Sequence, residues 1–374
     1  MKILQITSTF FPVIGGQEKV VEELSRGLKK LGHEVTILTT DLSYENQNLP
    51  KRENFKEIEI IRCKNDLSLG SYGYSKEAIK WLKENWKKYD LIHSHGYNRF
   101  LSEFAVYYLR NKKPVVFTPH GFIHTKKNYF FKIIHDLTIG RFIKYAKICT
   151  ALTKLDFKEY KKLGIDKKKI IEIPNGINKE FFDKINNKEL NKFKKKYGIN
   201  RNFLLYVGRI HKSKGLQYVV EAIRELDCQF VIVGQDTGYQ KELMKIINEK
   251  KLRDKVIFSG PLNEKELLKA YKSSDVFILF SEWEGFGIVI IEAMATGKPV
   301  IVSNRGSLPF LVKNNKNGLI VNFKDVEKLK KSINLLLKDK KLRNNLGKEG
   351  VKISKNYKWD KITKDYEKIY QDIK

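Results

Sequence analysis

In EGFGIVIIE, residues 284–292, two carboxylates eight residues apart bracket a Gly-aromatic-Gly turn and a run of bare aliphatics. A helix that only packs has no use for Glu292 inside IVIIEAMA. A lone carboxylate in apolar surroundings is costly unless it is hydrogen-bonded. The vicinal hydroxyls of a ribose would satisfy both of its oxygens. Glu284 lies in the loop before the helix, at the end of a strand, where it can reach a sugar. Phe286, Gly287 and Ile288 open the helix, so their N–H groups are free to donate to a ligand. The alternative, a core glutamate paired with a lysine or the backbone, accounts for Glu292 alone and leaves Glu284 and the glycines unexplained.

A second such place is YVGRIHKSKG, residues 206–215. A strand ends, Gly208 turns the chain, and Arg209 and Lys214 flank a short loop before a helix. Two cations beside a helix N-terminus suit a diphosphate. Arginine forks two phosphate oxygens and lysine adds a mobile point charge. The plainer reading is a solvated basic loop. A third place combines Gly15-Gly16, which precedes a helix and lets backbone approach a ligand, with His120 in TPHG at another strand end. His93 and His95 share a strand face, but no cysteine or carboxylate ligand set accompanies them, so metal binding is not expected.

Strand and helix patterns alternate along the chain to position these residues. KILQITS reads as a buried strand, EKVVEELSRGLKKLGH as an amphipathic helix stopped by Gly32, and EVTILTT as the next strand. That βαβ unit implies a parallel sheet. EIEIIRC, LIHSH, PVVFTPH and KICTALT continue the first series. After IPNGI a second series follows: NFLLYVG, QFVIVG, VIFSG, VFILF, PVIVSN and LIVNF. The pattern implies two layered α/β domains, divided at the Pro174-Asn175-Gly176 turn. In open parallel sheets ligands sit beyond the carboxyl ends of the strands. NYFFKIIHDLTIGRFIKYAK, residues 128–147, reads as a packing helix pair, with a lipid-touching surface as the alternative. The tail from Trp359 carries Ile362, Tyr366, Ile369 and Tyr370 on one helical face.

The net charge of +30 is concentrated in residues 101–200 (+14) and 301–374 (+11). Of 73 basic residues only 12 are arginine, and base-reading proteins favour arginine forks, so no nucleic-acid partner is expected. Solvated lysine-rich faces and attraction to an anionic membrane or substrate both remain open. The opening MKILQITSTF carries no basic-then-apolar leader, and no run of about 18 apolar residues occurs. The three cysteines make no CxxC. These features set the expectation of a cytoplasmic protein, with peripheral contact at the inner face of the membrane as an open possibility.

In order and spacing these stretches resemble the retaining glycosyltransferases of family 4, the glycosyl transferases group 1, over nearly the whole chain. FPVIGGQEKVVEELSRGLKKLGHEVTILTT is similar to the family's opening signature. HSHG, TPHG and IPNGIN are similar to its landmarks, and YVGRIHKSKG and EGFGIVIIEAMATGKPVI to its two donor-site signatures. The resemblance implies an α/β protein of GT-B fold, two Rossmann-like domains with parallel sheets facing across a cleft. Residues 1–177 would form the acceptor side, with helix 359–374 packing back on it, and 178–358 would bind the donor. It implies that Arg209 and Lys214 hold a diphosphate, Glu284 the donor sugar and Glu292 the ribose. Gly16 would bring a backbone N–H to the phosphates, with Phe286, Gly287 and Ile288 beside them, and His120 would sit by the reacting sugar. His120, Glu284, Arg209 and Lys214 are then the catalytic set.

The partners so implied are a nucleotide-diphosphate sugar as donor and a glycan or lipid-linked acceptor, with no further cofactor. No D-x-D occurs in the chain, and two cations would do a metal's work on the leaving phosphate. One departure stands in NRGSLPF, residues 304–310, where Phe310 takes the place of the family's usual Glu. The rival readings are a GT-B sugar phosphorylase or nucleotide-sugar epimerase, and a non-catalytic protein that binds an anionic surface.

Overall fold

The apolar runs become strands whose side chains are buried on both faces, as parallel sheets covered by helices require. The computed structural model describes residues 1–13, 15–42, 49–69, 72–122 and 129–374. The chain divides into one unit of Met1–Gly176 with Trp359–Lys374 and a second of Ile177–Lys358.

In the first unit the strands are β1 (Lys2–Ile6), β2 (Glu34–Thr40), β3 (Arg52–Phe55), β4 (Ile58–Cys63), β5 (Leu67–Leu69), β6 (Tyr72–Tyr74), β7 (Leu91–His95), β8 (Val115–Thr118), β9 (Ile148–Ala151) and β10 (Ile170–Glu172). Eight of them form one sheet in the order β10-β9-β8-β7-β1-β2-β4-β3, and β5 and β6 pair separately. Every neighbour in the large sheet is parallel except β3, which runs antiparallel to β4 at the edge. Its helices are α1 (Gly16–Lys30), α2 (Lys76–Asn85), α3 (Phe100–Leu109), α4 (Tyr129–Leu137) and α5 (Lys154–Lys162). Helix α1 buries Val20, Val21, Leu24 and Leu28, and Gly32, at φ +86°, follows its end. Thr153 and Asp156 close a capping box on α5.

The second unit holds β11 (Phe203–Val207), β12 (Gln229–Val233), β13 (Val256–Gly260), β14 (Val276–Leu279), β15 (Val300–Ser303) and β16 (Gly318–Val321). All pairings are parallel, in the order β13-β12-β11-β14-β15-β16. Its helices are α6 (Asn187–Lys196), α7 (Leu216–Ala222), α8 (Gln240–Glu249), α9 (Glu264–Ser273), α10 (Ile288–Ala295), α11 (Leu308–Leu311), α12 (Val326–Lys338) and α13 (Lys340–Ser354). The last helix, α14 (Trp359–Ile373), belongs to the first unit and buries Ile362, Tyr366, Ile369 and Tyr370. Its Thr363 lies so close to α1 that a Cβ on Gly27 would stand 2.3 Å from the Thr363 hydroxyl oxygen.

Residues 129–147 correct the expectation of a helix pair. Helix α4 is followed by a 3-10 helix, Ile139–Tyr145. Ile143 and Ala146 are buried, whereas Ile133, Ile134 and Leu137 are exposed. Asn128 lies outside the described residues. The three cysteines are buried free thiols. Among the described residues no helix is long and apolar enough to cross a membrane.

Close helix packing in the second unit rests on Gly347, whose added Cβ would stand 2.2 Å from the Gly297 carbonyl oxygen. In an open helix Gly→Ala stabilises by ~1 kcal/mol. Here the backbone contact outweighs that gain. Gly347→Ala is expected to lower unfolding stability by about 2 kcal/mol or more, read as a fall in the urea midpoint.

Candidate active site

The loops after β11, β14 and β15, which are neighbours in the sheet, build the charged part of the second unit. Gly215, at φ +67°, lets the loop after β11 lie against the end of β14, since a Cβ there would stand 2.1 Å from the Phe280 carbonyl oxygen. The Glu282 N–H then donates to the Ser213 carbonyl at 2.8 Å. Lys214 and Glu284 meet as a result, with Nζ 2.6 Å from Oε1. The Ser281 hydroxyl donates to the same oxygen at 2.7 Å. The two side chains are only 14 and 16 % exposed, so the pair is partly desolvated and less screened than a surface ion pair.

The loop after β15 clamps the Glu284 turn from the other side. The Ser307 N–H donates to the Glu284 carbonyl at 3.1 Å. Its hydroxyl donates to the Phe286 carbonyl at 2.8 Å. The Ser303 hydroxyl holds the Ser281 carbonyl at 2.5 Å. Gly306 passes so near that a Cβ would be 2.6 Å from the Glu284 carbonyl oxygen.

Arg209 is placed by its backbone, whose carbonyl accepts from the Tyr206 hydroxyl at 2.8 Å. Burial holds the Tyr206 phenol well above its ordinary pKa; the nearby Glu284 charge adds to this and Arg209 opposes it. Both charges therefore bear on one buried hydroxyl. The Arg209 side chain is exposed, and among the described residues its guanidinium has no hydrogen-bond or ion-pair partner.

The Gly-aromatic-Gly turn differs in detail from the sequence expectation. Gly287, at φ +91°, is the N-cap, and α10 begins at Ile288. Phe286 precedes the helix, with a buried ring 6.2 Å from that of Tyr357. Glu292 is half-buried rather than enclosed. Its Oε2 accepts from the Tyr271 hydroxyl of α9 at 2.7 Å, and burial, then the Glu292 charge, push that phenol's pKa well up. Tyr271 and Ser281 were not singled out in the sequence, because their partners lie on other elements.

In the first unit Gly16 is the first residue of α1, and the space where its Cβ would stand is open to 4 Å. His120 follows β8 with its backbone at φ +54°, a region that strains a non-glycine residue. Its Nε2 lies 2.9 Å from His95 Nδ1. The other His95 nitrogen bonds Gln5 Oε1. His93 is bonded to Tyr370 and Thr118. The ring nitrogens of His93 and His95 are thus engaged with side chains of the fold, and among the described residues no cluster fit to hold a metal is found.

Burial depresses the pKa of His93 and His95 well below the ordinary value. It takes His120 down to about 3, helped by the Arg99 charge. His135 on α4 behaves oppositely. Burial works to lower it, but the hydrogen bond to Glu103 at 2.9 Å and the Glu103 and Asp136 charges hold it above the ordinary value.

Residues 14–181 match Glycosyltransferase Family 4 and residues 187–353 match the glycosyl transferases group 1. N-acetyl-alpha-D-glucosaminyl L-malate synthase of Bacillus anthracis is 27% identical, over 99% of this chain and 97% of its own. An uncharacterized 41.2 kDa protein in the cps region of Klebsiella pneumoniae is 32% identical, over 67% of this chain and 70% of its own. The crystal structure of Anabaena HepE in complex with UDP superposes with a TM-score of 0.81 at 19% identity, covering 100% of both chains. Two doubly wound α/β units, with charge gathered at the strand ends of the second, define a glycosyltransferase of GT-B type. The chain belongs to the family 4 glycosyltransferases.

The histidines make stability pH-dependent. A group whose folded pKa is depressed contributes stability that is present above its unfolded value, near 6.5, and is lost as pH falls. His93, His95 and His120 act in this sense, each by at most ~1.4 kcal/mol per pH unit. His135, Glu103 and Asp156, whose folded pKa values are raised, the last to about 6 by burial, act in the opposite sense and offset the three. Asp156→Asn removes one of these opposing groups, so its urea midpoint is expected to fall more steeply between pH 7 and pH 5 than that of the wild type. An unchanged slope contradicts the raised Asp156 carboxyl.

Proposed function

We propose that the protein is a retaining, metal-independent transferase that moves a hexosyl or N-acetylhexosaminyl group from a nucleotide-diphosphate sugar to an acceptor hydroxyl. The acceptor is a glycan or lipid-linked glycan, and the setting is the synthesis of cell-surface polysaccharide or glycolipid. The reading is carried by Lys214 and Glu284, an ammonium and a carboxylate in contact at a strand end, with Arg209 earlier in the same loop as Lys214. Support comes from the UDP held by the Anabaena protein and from the N-acetyl-alpha-D-glucosaminyl L-malate product named for the Bacillus relative.

On this reading the second unit takes the donor and the first the acceptor. Lys214 and Arg209 hold the diphosphate. Glu284 takes the sugar hydroxyls and Glu292 the ribose, with the α10 N-terminus at Gly287 and Ile288 beside them. As the sugar–phosphate bond breaks, positive charge grows on the sugar and negative charge on the leaving diphosphate. Cations fixed beforehand stabilise that negative charge as it forms. Retention follows if the acceptor hydroxyl attacks the face the phosphate leaves, giving its proton to that phosphate. Lys214 and Arg209 neutralise the leaving group, which is the role a metal would otherwise take, and no further cofactor is needed.

Exposed Ile133, Ile134, Leu137 and Tyr145 lie along 133–145 beside the exposed basic groups Arg141 and Lys144. Apolar side chains among lysine and arginine suit an anionic bilayer surface, and residues 101–200 carry +14 of the charge. This supports a cytoplasmic enzyme peripheral to the inner face of the membrane.

Three outcomes test the reading. In a thermal-shift panel of nucleotides and nucleotide sugars, at least one nucleoside diphosphate raises the melting temperature; a flat panel removes the donor assignment. Lys214→Ala and Glu284→Ala each lower kcat by roughly 10²–10³-fold with the fold retained, and wild-type turnover in either rules out the roles given. Leu137→Asp with Ile134→Asp weakens sedimentation with anionic vesicles while leaving turnover on a soluble acceptor intact; unchanged sedimentation excludes this patch.

A further inference from the structure

A buried polar chain in the first unit stands behind His120, the histidine the sequence placed by the reacting sugar. The left-handed backbone of His120 is strained unless its surroundings hold it. The His95 and His120 rings stack with centroids 5.2 Å apart, and His120 Nε2 faces His95 Nδ1 at 2.9 Å. His95 Nε2 meets Oε1 of Gln5 on the adjacent strand β1. The Gln5 amide nitrogen, which makes no hydrogen bond among the described residues, lies beside the Tyr370 hydroxyl. Tyr370 reaches His93 Nδ1 at 2.5 Å, and His93 Nε2 reaches Thr118 Oγ1 at 2.8 Å. Gln5, His93, His95 and Thr118 are all fully buried.

The chemistry of the Gln5 oxygen sets a direction on the part of the chain that matters. An amide oxygen accepts and cannot donate. The proton in its contact with His95 therefore sits on His95 Nε2. A neutral imidazole carries one N–H, so His95 Nδ1 is a lone pair. The proton in the His95–His120 contact must then come from His120 Nε2, and His120 Nδ1 is left as a lone pair. The Arg99 charge disfavours a second proton on His120 and so keeps the ring neutral, with one N–H to place. With the Gln5 amide turned over, each of these links would reverse and His120 would carry its proton on Nδ1.

We infer that Gln5 and His95 are positioning residues that fix His120 in the tautomer with hydrogen on Nε2, so that Nδ1 is offered as a hydrogen-bond acceptor. What Nδ1 serves rests on the transferase reading above; the tautomer does not. A lone pair on Nδ1 can take a hydrogen bond from a substrate hydroxyl without setting positive charge beside a sugar that is itself becoming positive. An N–H in its place would oppose that charge.

The test is a long-range 1H–15N spectrum of the full chain labelled with 15N-histidine at neutral pH. His120 is identified by the signals lost in His120→Ala. The expected wild-type pattern has His120 protonated on Nε2 and bare on Nδ1; the reverse pattern overturns the inference without any variant. Gln5→Met, which keeps length and removes the acceptor, should turn His120 into a mixture of tautomers. It should also lower kcat at least tenfold, with donor KM and melting temperature little changed. Gln5→Glu, which keeps an acceptor for His95, should restore the Nε2–H pattern and part of kcat. A Gln5→Met protein with the wild-type pattern sinks the inference, as does a Gln5→Glu protein that loses it. If no nucleotide sugar gives transfer while the spectra behave as expected, the lock stands and the proposed function falls.

Discussion

In a parallel sheet every strand ends on the same edge, and β11, β14 and β15 are hydrogen-bonded neighbours. Residues 70 positions apart in the chain, Lys214 and Glu284, come into contact because of that adjacency. The approach is tight. Gly215 and Gly306 leave no room for a Cβ against the backbone of Phe280 and Glu284. Three serines, Ser281, Ser303 and Ser307, tie the turn to its neighbours. The charges are thus set by backbone and short hydroxyl contacts rather than by long, mobile side chains. Such a base loses little entropy when a ligand arrives and holds its geometry as charge develops.

Much of the fold was legible because it is written in local pattern. The strands from KILQI to GLIV are short aliphatic runs between turn residues, and the amphipathic stripe of EKVVEELSRGLKK sets α1. The elements not foreseen lack that signal. The edge strand RENF pairs antiparallel with β4 through its backbone, and its polar side chains alternate between exposed and half-buried. LSL and YGY form a two-stranded antiparallel pair of three residues each. IIE adds a three-residue strand at the other edge of the sheet. The 3-10 helix at 139–145 has the same apolar spacing as the α-helix expected there, and composition does not separate the two.

The candidate site was legible in its charged members and illegible in their supports. Arg209, Lys214, Glu284 and Glu292 stand out because packing has no need of them at strand and helix ends. Ser281, Tyr206 and Tyr271 read as ordinary residues of their elements. Their partners are carbonyls and carboxylates that only the folded chain brings near. Gln5 is the clearest case. Within KILQITS it reads as a polar break in a buried strand, and its meaning depends on His95, ninety residues away. A buried polar residue on a central strand signals that a partner exists without saying which.

The contact between Lys214 and Glu284 bears on how a donor would enter. Each side chain is the other's counterion, which keeps a half-buried ammonium and carboxylate from standing alone. On the proposed reading a diphosphate would draw the ammonium and sugar hydroxyls would draw the carboxylate, so the ligand replaces both halves of the contact at once. A nucleoside diphosphate without its sugar would replace only one, and would leave the Ser281 hydroxyl as the remaining partner of Glu284. On that reading the pair would favour the complete donor over its product. The preference is modest, since an ion pair still open to some water contributes about 1 kcal/mol, and a modest preference lets product leave.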